Sequence, residues 1–147
     1  MDVIDTNILR VLERDGRVTN LQLAERVGLS ASACLRRVQA LEAAGVIKGY
    51  RAILDRSQLG AGLTVFVMVG LSGQLQRDSL AFERAMSEAP EVLECHNVTG
   101  SVEYLLRVEV ADLAAYKHFH SDVLGTLSQV SSITSHVSLG SSKDLRA

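Results

Sequence analysis

Over the first third of the chain, apolar side chains recur at helical spacing, and turn residues interrupt the pattern twice. Ile4, Ile8, Leu9 and Leu12 form one stripe across residues 3–14, and Gly16 ends it. In the next stretch, TNLQLAERVGLS, Thr19 stands three residues before Gln22, the spacing of a capping box, and Leu23, Ala24 and Val27 supply the inward stripe. Gly28 permits a tight turn. Ser30 then caps a third helix that runs to Ala44 and stops at Gly45. The segment VIKGYRAIL that follows predicts two short strands about Gly49. Residues 1–54 therefore predict three short helices and a small hairpin.

The period changes after this point. DRSQLGAG, residues 55–62, is polar and then glycine-rich, as a linker is. LTVFVMVGL reads as a strand. Residues 78–88 predict an amphipathic helix with Phe82, Ala85 and Met86 inward, closed before Pro90. EVLECHNVTG and SVEYLLRVEV predict two strands joined at Gly100. Asp112 caps a further helix bearing Tyr116, Phe119 and Val123, and SSITSHVSL predicts a last strand. The order β-α-β-β-α-β is the ferredoxin-like split motif. The expectation is an α+β chain with a helical domain at 1–54, a linker at 55–62 and a sheet domain at 63–147. Two helices cover one face of a four-stranded sheet, so the other face needs a partner sheet. Self-association is expected on that ground.

Composition refines the picture. The chain has 147 residues, of which 47% are hydrophobic, enough to bury a core in one domain or two small ones. Charge is unevenly placed: residues 1–54 are net +2 and the remainder net −4, as though only the first half meets a polyanion. Cys34 and Cys95 have no metal-finger or CxxC spacing, which fits a reducing compartment. Asp2 and Asp5 stand where a secretory leader would be basic. The apolar run GAGLTVFVMVGL has 12 residues, short of the roughly 20 a membrane helix needs. These features predict a soluble, cytoplasmic protein.

The third helix carries the candidate chemistry. On a helical wheel with Cys34 at the origin, Val38 falls at about 40° and Leu41 at about −20°, one apolar stripe. Arg36 falls at about 200°, among Ser32, Ala33, Gln39 and Ala40, and Arg37 flanks the stripe at about −60°. Small residues followed by a long cation are what a helix needs to enter a major groove, where arginine pairs with guanine or grips phosphate. Cys34 points inward as a small hydrophobe whose burial would raise its thiol pKa. Together with the Gly28 turn and the hairpin, this predicts a winged helix-turn-helix that binds double-stranded DNA.

Metal and catalytic sites are not expected. Cys95 and His96 are consecutive in a strand and face opposite ways. His118 and His120 lie about 200° apart on a helix and cannot share one ion. There is no glycine-rich phosphate loop and no nucleophile beside a base, and Glu94 and Glu103, on paired strands, have no distinguishable environments, so the chain does not read as an enzyme.

The run from IDTNILRVLERDGRVTNLQLAERVGLSASACLRRVQALEAAGVIKGYRAILD resembles the DNA-binding half of the Lrp/AsnC (feast/famine) transcriptional regulators. PEVLECHNVTGSVEYLLRVEVADLAAYKHF resembles their effector-sensing half, the RAM domain. The resemblance implies a winged helix on operator DNA and a ferredoxin-like domain that dimerises. It further implies dimers assembled into octamers or related rings, with a small effector, usually an amino acid, between dimers and no cofactor beyond it. By the same resemblance, Ser30, Ser32, Ala33, Arg36, Arg37 and Gln39 match the DNA-contacting helix, with Arg36 on bases and Arg37 on phosphate or packed against the preceding helix. The family's effector loop reads Gly-Asp-x-Asp-Tyr, whereas Gly100, Ser101, Val102, Glu103 and Tyr104 stand here. Glu103 would pair with the effector's ammonium group, and Thr134, Ser135 and His136 would complete the pocket from a neighbouring chain. The two rivals are an effector-independent architectural DNA-binding protein of the same fold, and a small-molecule sensor or enzyme whose basic helix packs internally.

Overall fold

The structure is a computed structural model that describes residues 1–73 and 76–144. The last three residues of the expected sheet domain, 145–147, lie outside the described residues. The chain divides into two compact units, Met1–Ile53 and Leu54–Ala147, each with its own core.

In the first unit, α1 (Val3–Arg14), α2 (Asn20–Val27) and α3 (Ala31–Ala43) form where their caps require. Thr19 and Gln22 make the reciprocal capping box at the start of α2, and the Ser30 hydroxyl accepts from the Ala33 N–H at 3.3 Å to start α3. Gly28 ends α2 at φ +71°, a left-handed conformation that costs glycine nothing. The Leu29 N–H then reaches back to the Ala24 carbonyl at 2.9 Å. Ile8, Leu23, Ala24, Cys34 and Leu41 form the buried core, flanked by Ile4, Leu9, Leu12, Val27, Val38 and Ile47.

The expected hairpin over Val46–Leu54 is a correction. This stretch has no paired strand in the single chain; it leaves α3 through Gly45 at φ +70° and continues past Gly49 without regular structure. Ile47 packs on the core and the Tyr50 hydroxyl donates to Glu42 Oε1 at 2.9 Å, while Ile53 and Leu54 are exposed. Two four-residue strands that bury so little apolar surface lack the packing an isolated hairpin needs.

The second unit is a four-stranded antiparallel sheet in the order β2-β3-β1-β4, from β1 (Leu63–Leu71), β2 (Val92–Asn97), β3 (Tyr104–Val110) and β4 (Val130–Val137). Helices α4 (Gln76–Glu88) and α5 (Leu113–His118) lie between β1 and β2 and between β3 and β4 in sequence. Alternation sets the faces. Val65, Val67, Val69, Tyr104, Leu106 and Val108 are buried in one cluster with Phe82, Met86, Tyr116 and Phe119 of the helical segments. Phe66, Met68, Leu105, Arg107, Thr134 and His136 alternate with them onto the other face, and none of these six is fully buried. The helix expected to carry Tyr116, Phe119 and Val123 as one rod is regular only to His118. It continues as a π turn, Phe119–Val123, and a 3-10 turn, Leu124–Thr126.

Residues 55–62 carry a one-turn 3-10 segment, Arg56–Leu59. Arg56 Nε lies 3.2 Å from Glu109 Oε2, and Arg107 bridges Glu109 at 3.1 Å and Asp144 at 2.7 Å. An ion-pair chain thus ties this segment and the C-terminal stretch to β3.

Candidate nucleic-acid interface and effector loop

Four local features fix the presentation of α3. Its N-terminus is capped by Ser30, whose hydroxyl also lies 3.4 Å from that of Ser32. The Asn20 side-chain amide donates to the Ala31 carbonyl at 2.8 Å, tying the start of α2 to the start of α3. Cys34 and Leu41 are buried, with Val38 packed beside them. Arg37 Nη1 bridges Asp2 Oδ2 at 2.8 Å and Asp5 Oδ1 at 2.7 Å on α1.

The face opposite the apolar stripe is open. Ser32, Arg36, Gln39 and Ala40 are exposed, Ala33 is half-buried at the flank, and Arg36 has no ion pair or hydrogen bond among the described residues. A helix end with small side chains, followed one turn on by an uncommitted guanidinium, can approach a groove and pair with a base edge. Arg37 does not belong to that face. Its Nη1 is engaged within the chain, by Asp2 and Asp5 at the start of α1 rather than by the helix immediately before, and the sequence offered no sign of which carboxylates would take it. Asp2 and Asp5 are held below the usual carboxylate range, first by accepting each other's backbone N–H and then by Arg37. The Cys34 thiol is pushed up by burial.

The loop expected to bind an effector is more committed than its sequence suggests. Gly100 adopts φ +130°, and Gly100 and Ser101 are exposed. The ladder between β1 and β3 stops at Val69 and Tyr104, and Glu103 extends it with its side chain: the Leu71 N–H donates to Glu103 Oε2 at 2.7 Å. The carboxylate expected to meet an ammonium group therefore already holds a backbone donor. Tyr104 is 1% exposed, packs tilted against Phe82 with ring centroids 4.6 Å apart, and donates its hydroxyl to Glu83 Oε1 at 2.7 Å. It is a core anchor. Val102 is half-buried.

The three β4 residues do not share a face. Thr134 pairs with Met68 and His136 with Phe66 on the open side, while Ser135 pairs with Val67 and hydrogen-bonds the Tyr116 hydroxyl on the helix side. A cavity of about 280 Å³ lies nearby, lined by His120, Leu124, Gly125, Leu127 and Val130–Ile133, and none of the loop residues 100–104 lines it. Glu94 faces His96 at 3.1 Å, so Glu94 and Glu103 serve separate partners. Among the described residues no group of three His, Cys, Asp or Glu could hold a metal ion, and no helix is long and apolar enough to cross a membrane.

Comparison with known proteins assigns both units. Residues 1–48 match a winged helix-turn-helix DNA-binding model, and residues 64–147 match the Lrp/AsnC ligand binding domain. The chain belongs to the Lrp/AsnC family. It is 43% identical over 144 residues to a leucine-responsive regulatory protein of Rhizobium meliloti (strain 1021), covering 98% of this chain and 92% of that one. The leucine-responsive regulatory protein of Escherichia coli K12 is 40% identical over 137 residues, 93% of this chain and 84% of that one. A transcriptional regulator of Neisseria meningitidis solved with L-methionine superposes with a TM-score of 0.94 at 37% identity, covering 98% and 93%. The protein is thus a DNA-binding transcriptional regulator, and its relatives are regulators rather than enzymes.

Proposed function

We propose that this regulator controls genes of amino-acid metabolism from the cytoplasm, as an assembly of dimers, with a free amino acid as its effector. In this reading the exposed face of α3 enters the major groove, with Arg36 on base edges and Ser30, Ser32, Ala33 and Gln39 beside the backbone. The effector sits by the Gly100–Ser101 turn and takes its remaining contacts from a neighbouring copy. The observation that carries the proposal is the match of residues 64–147 to a ligand-binding domain, joined to an exposed turn whose glycine lets a ligand approach the backbone. The L-methionine bound by the Neisseria relative supports an amino acid as the ligand class.

One observation favours a second reading. Glu103 gives one carboxylate oxygen to the Leu71 N–H and Ser101 stands where the family has an acid, so the loop carries one acid in place of two, and that one is already engaged on one oxygen. That suits a protein of the same fold that binds DNA without an effector. Titration calorimetry of the full chain against each of the twenty amino acids separates the two. Heat from at least one of them, together with altered affinity for operator DNA, is the expected result. Silence for all twenty, with unchanged DNA binding, favours the effector-independent regulator.

A further inference from the structure

Arg37 is adjacent to the outward Arg36, yet both hydrogen-bonding carboxylates around it belong to α1. Asp2 Oδ1 accepts the Asp5 N–H and Asp5 Oδ2 accepts the Asp2 N–H, each at 2.9 Å, closing the capping box of α1. The two remaining oxygens, Asp2 Oδ2 and Asp5 Oδ1, both take Arg37 Nη1. All four carboxylate oxygens are therefore used, two to start α1 and two to hold α3.

The apolar stripe of α3 is Cys34, Val38 and Leu41, and burial of apolar surface is non-directional. Charge-assisted hydrogen bonds are directional. Arg36 lies about 100° around the helix from Arg37, so pinning one sets the bearing of the other. Exposed ion pairs add little to stability, so a pin of this kind is read in orientation rather than in the unfolding midpoint.

The geometry points to Arg37 as a positioning residue for base reading: clamped by Asp2 and Asp5, it sets the rotation of the recognition helix and touches no DNA. The inference rests on the outward face of α3 being the DNA-facing one. Its test uses the full chain and an operator selected by it from random-sequence DNA, compared with a copy carrying one changed base pair across a range of salt. Arg37→Met and Asp5→Asn are each expected to cut the preference for the selected operator by about tenfold, the discrimination a well-placed base contact carries. The slope of log affinity against log salt should stay unchanged in both.

A phosphate contact at Arg37 predicts otherwise. Arg37→Met would then weaken all sequences equally and shallow the salt slope by about one. Asp5→Asn, by freeing the guanidinium, would tighten binding. Either pattern overturns the proposal. Should Arg37→Met fail to fold, Asp5→Asn carries the test alone, and Arg37→Lys, which keeps charge without the planar fork, is expected to restore part of the preference. Arg36→Ala run in parallel separates the premises: full discrimination in that variant means the DNA-facing side of α3 was misassigned, whatever Arg37 does.

Discussion

Arg36 and Arg37 are neighbours in sequence and opposites in use. The first is exposed with no partner among the described residues, and the second is bound by two carboxylates. The wheel of α3 separated them by direction, and it placed Cys34 inside, where the structure has it at 0% exposure. The partners of Arg37 were not legible, because Asp2 and Asp5 lie 35 and 32 residues away and periodicity carries no information about contacts between helices. The same limit hid the use of Glu103, since nothing in the loop sequence tells that its side chain would finish the β1 ladder. Burial disfavours the thiolate at both cysteines: the Cys34 thiol is raised, and Cys95 is pushed up to about 11 by burial with Glu83 adding to it. Arg36→Ala should cost about 1–3 kcal/mol of binding to a preferred operator and relax the choice at one base position. Competition binding against operators altered singly at each position measures both.

The starts of α2, α3 and α5 and the ends of α2 and α3 were legible because local residues signal them. Thr19 with Gln22, Ser30, Asp112, Gly28 and Gly45 are local signals, and the structure uses each where the sequence has it. The segment after α3 was misread as a paired hairpin, since strand pairing depends on what covers the strands and only the half-buried Ile47 of this segment packs on the core. The break in the helix after His118 also left no mark, because a π turn adds a residue without changing composition. Gly28 is the element most open to a direct test. A side chain at φ +71° meets no neighbour within 4 Å, so the penalty of Gly28→Ala is backbone strain alone. That variant should lose about 1–2 kcal/mol of stability, read from the midpoint of urea unfolding. A larger loss would mean that the turn between α2 and α3 had rearranged.

At the scale of the molecule, two helices set against a four-stranded sheet left one of its faces uncovered on the sequence pattern alone. One face is sealed by α4, α5 and the turns after α5. On the other, Phe66 and Met68 are half-buried and Leu105 is 36% exposed, beside the ion-pair chain through Arg107 and Glu109. A sheet whose centre carries phenylalanine, methionine and leucine toward solvent is suited to a second sheet, and light scattering of the full chain is expected to give a dimer or a multiple of one; a monomer at micromolar concentration would contradict this. What was not legible is the identity of the covering surface, for one chain's pattern shows which side is unsatisfied and not what satisfies it. If copies of the chain shield each other there, their folding is coupled to their meeting. Dilution alone should then lower the temperature at which this sheet melts, because mass action, and not only the bonds inside one chain, holds its outer side dry.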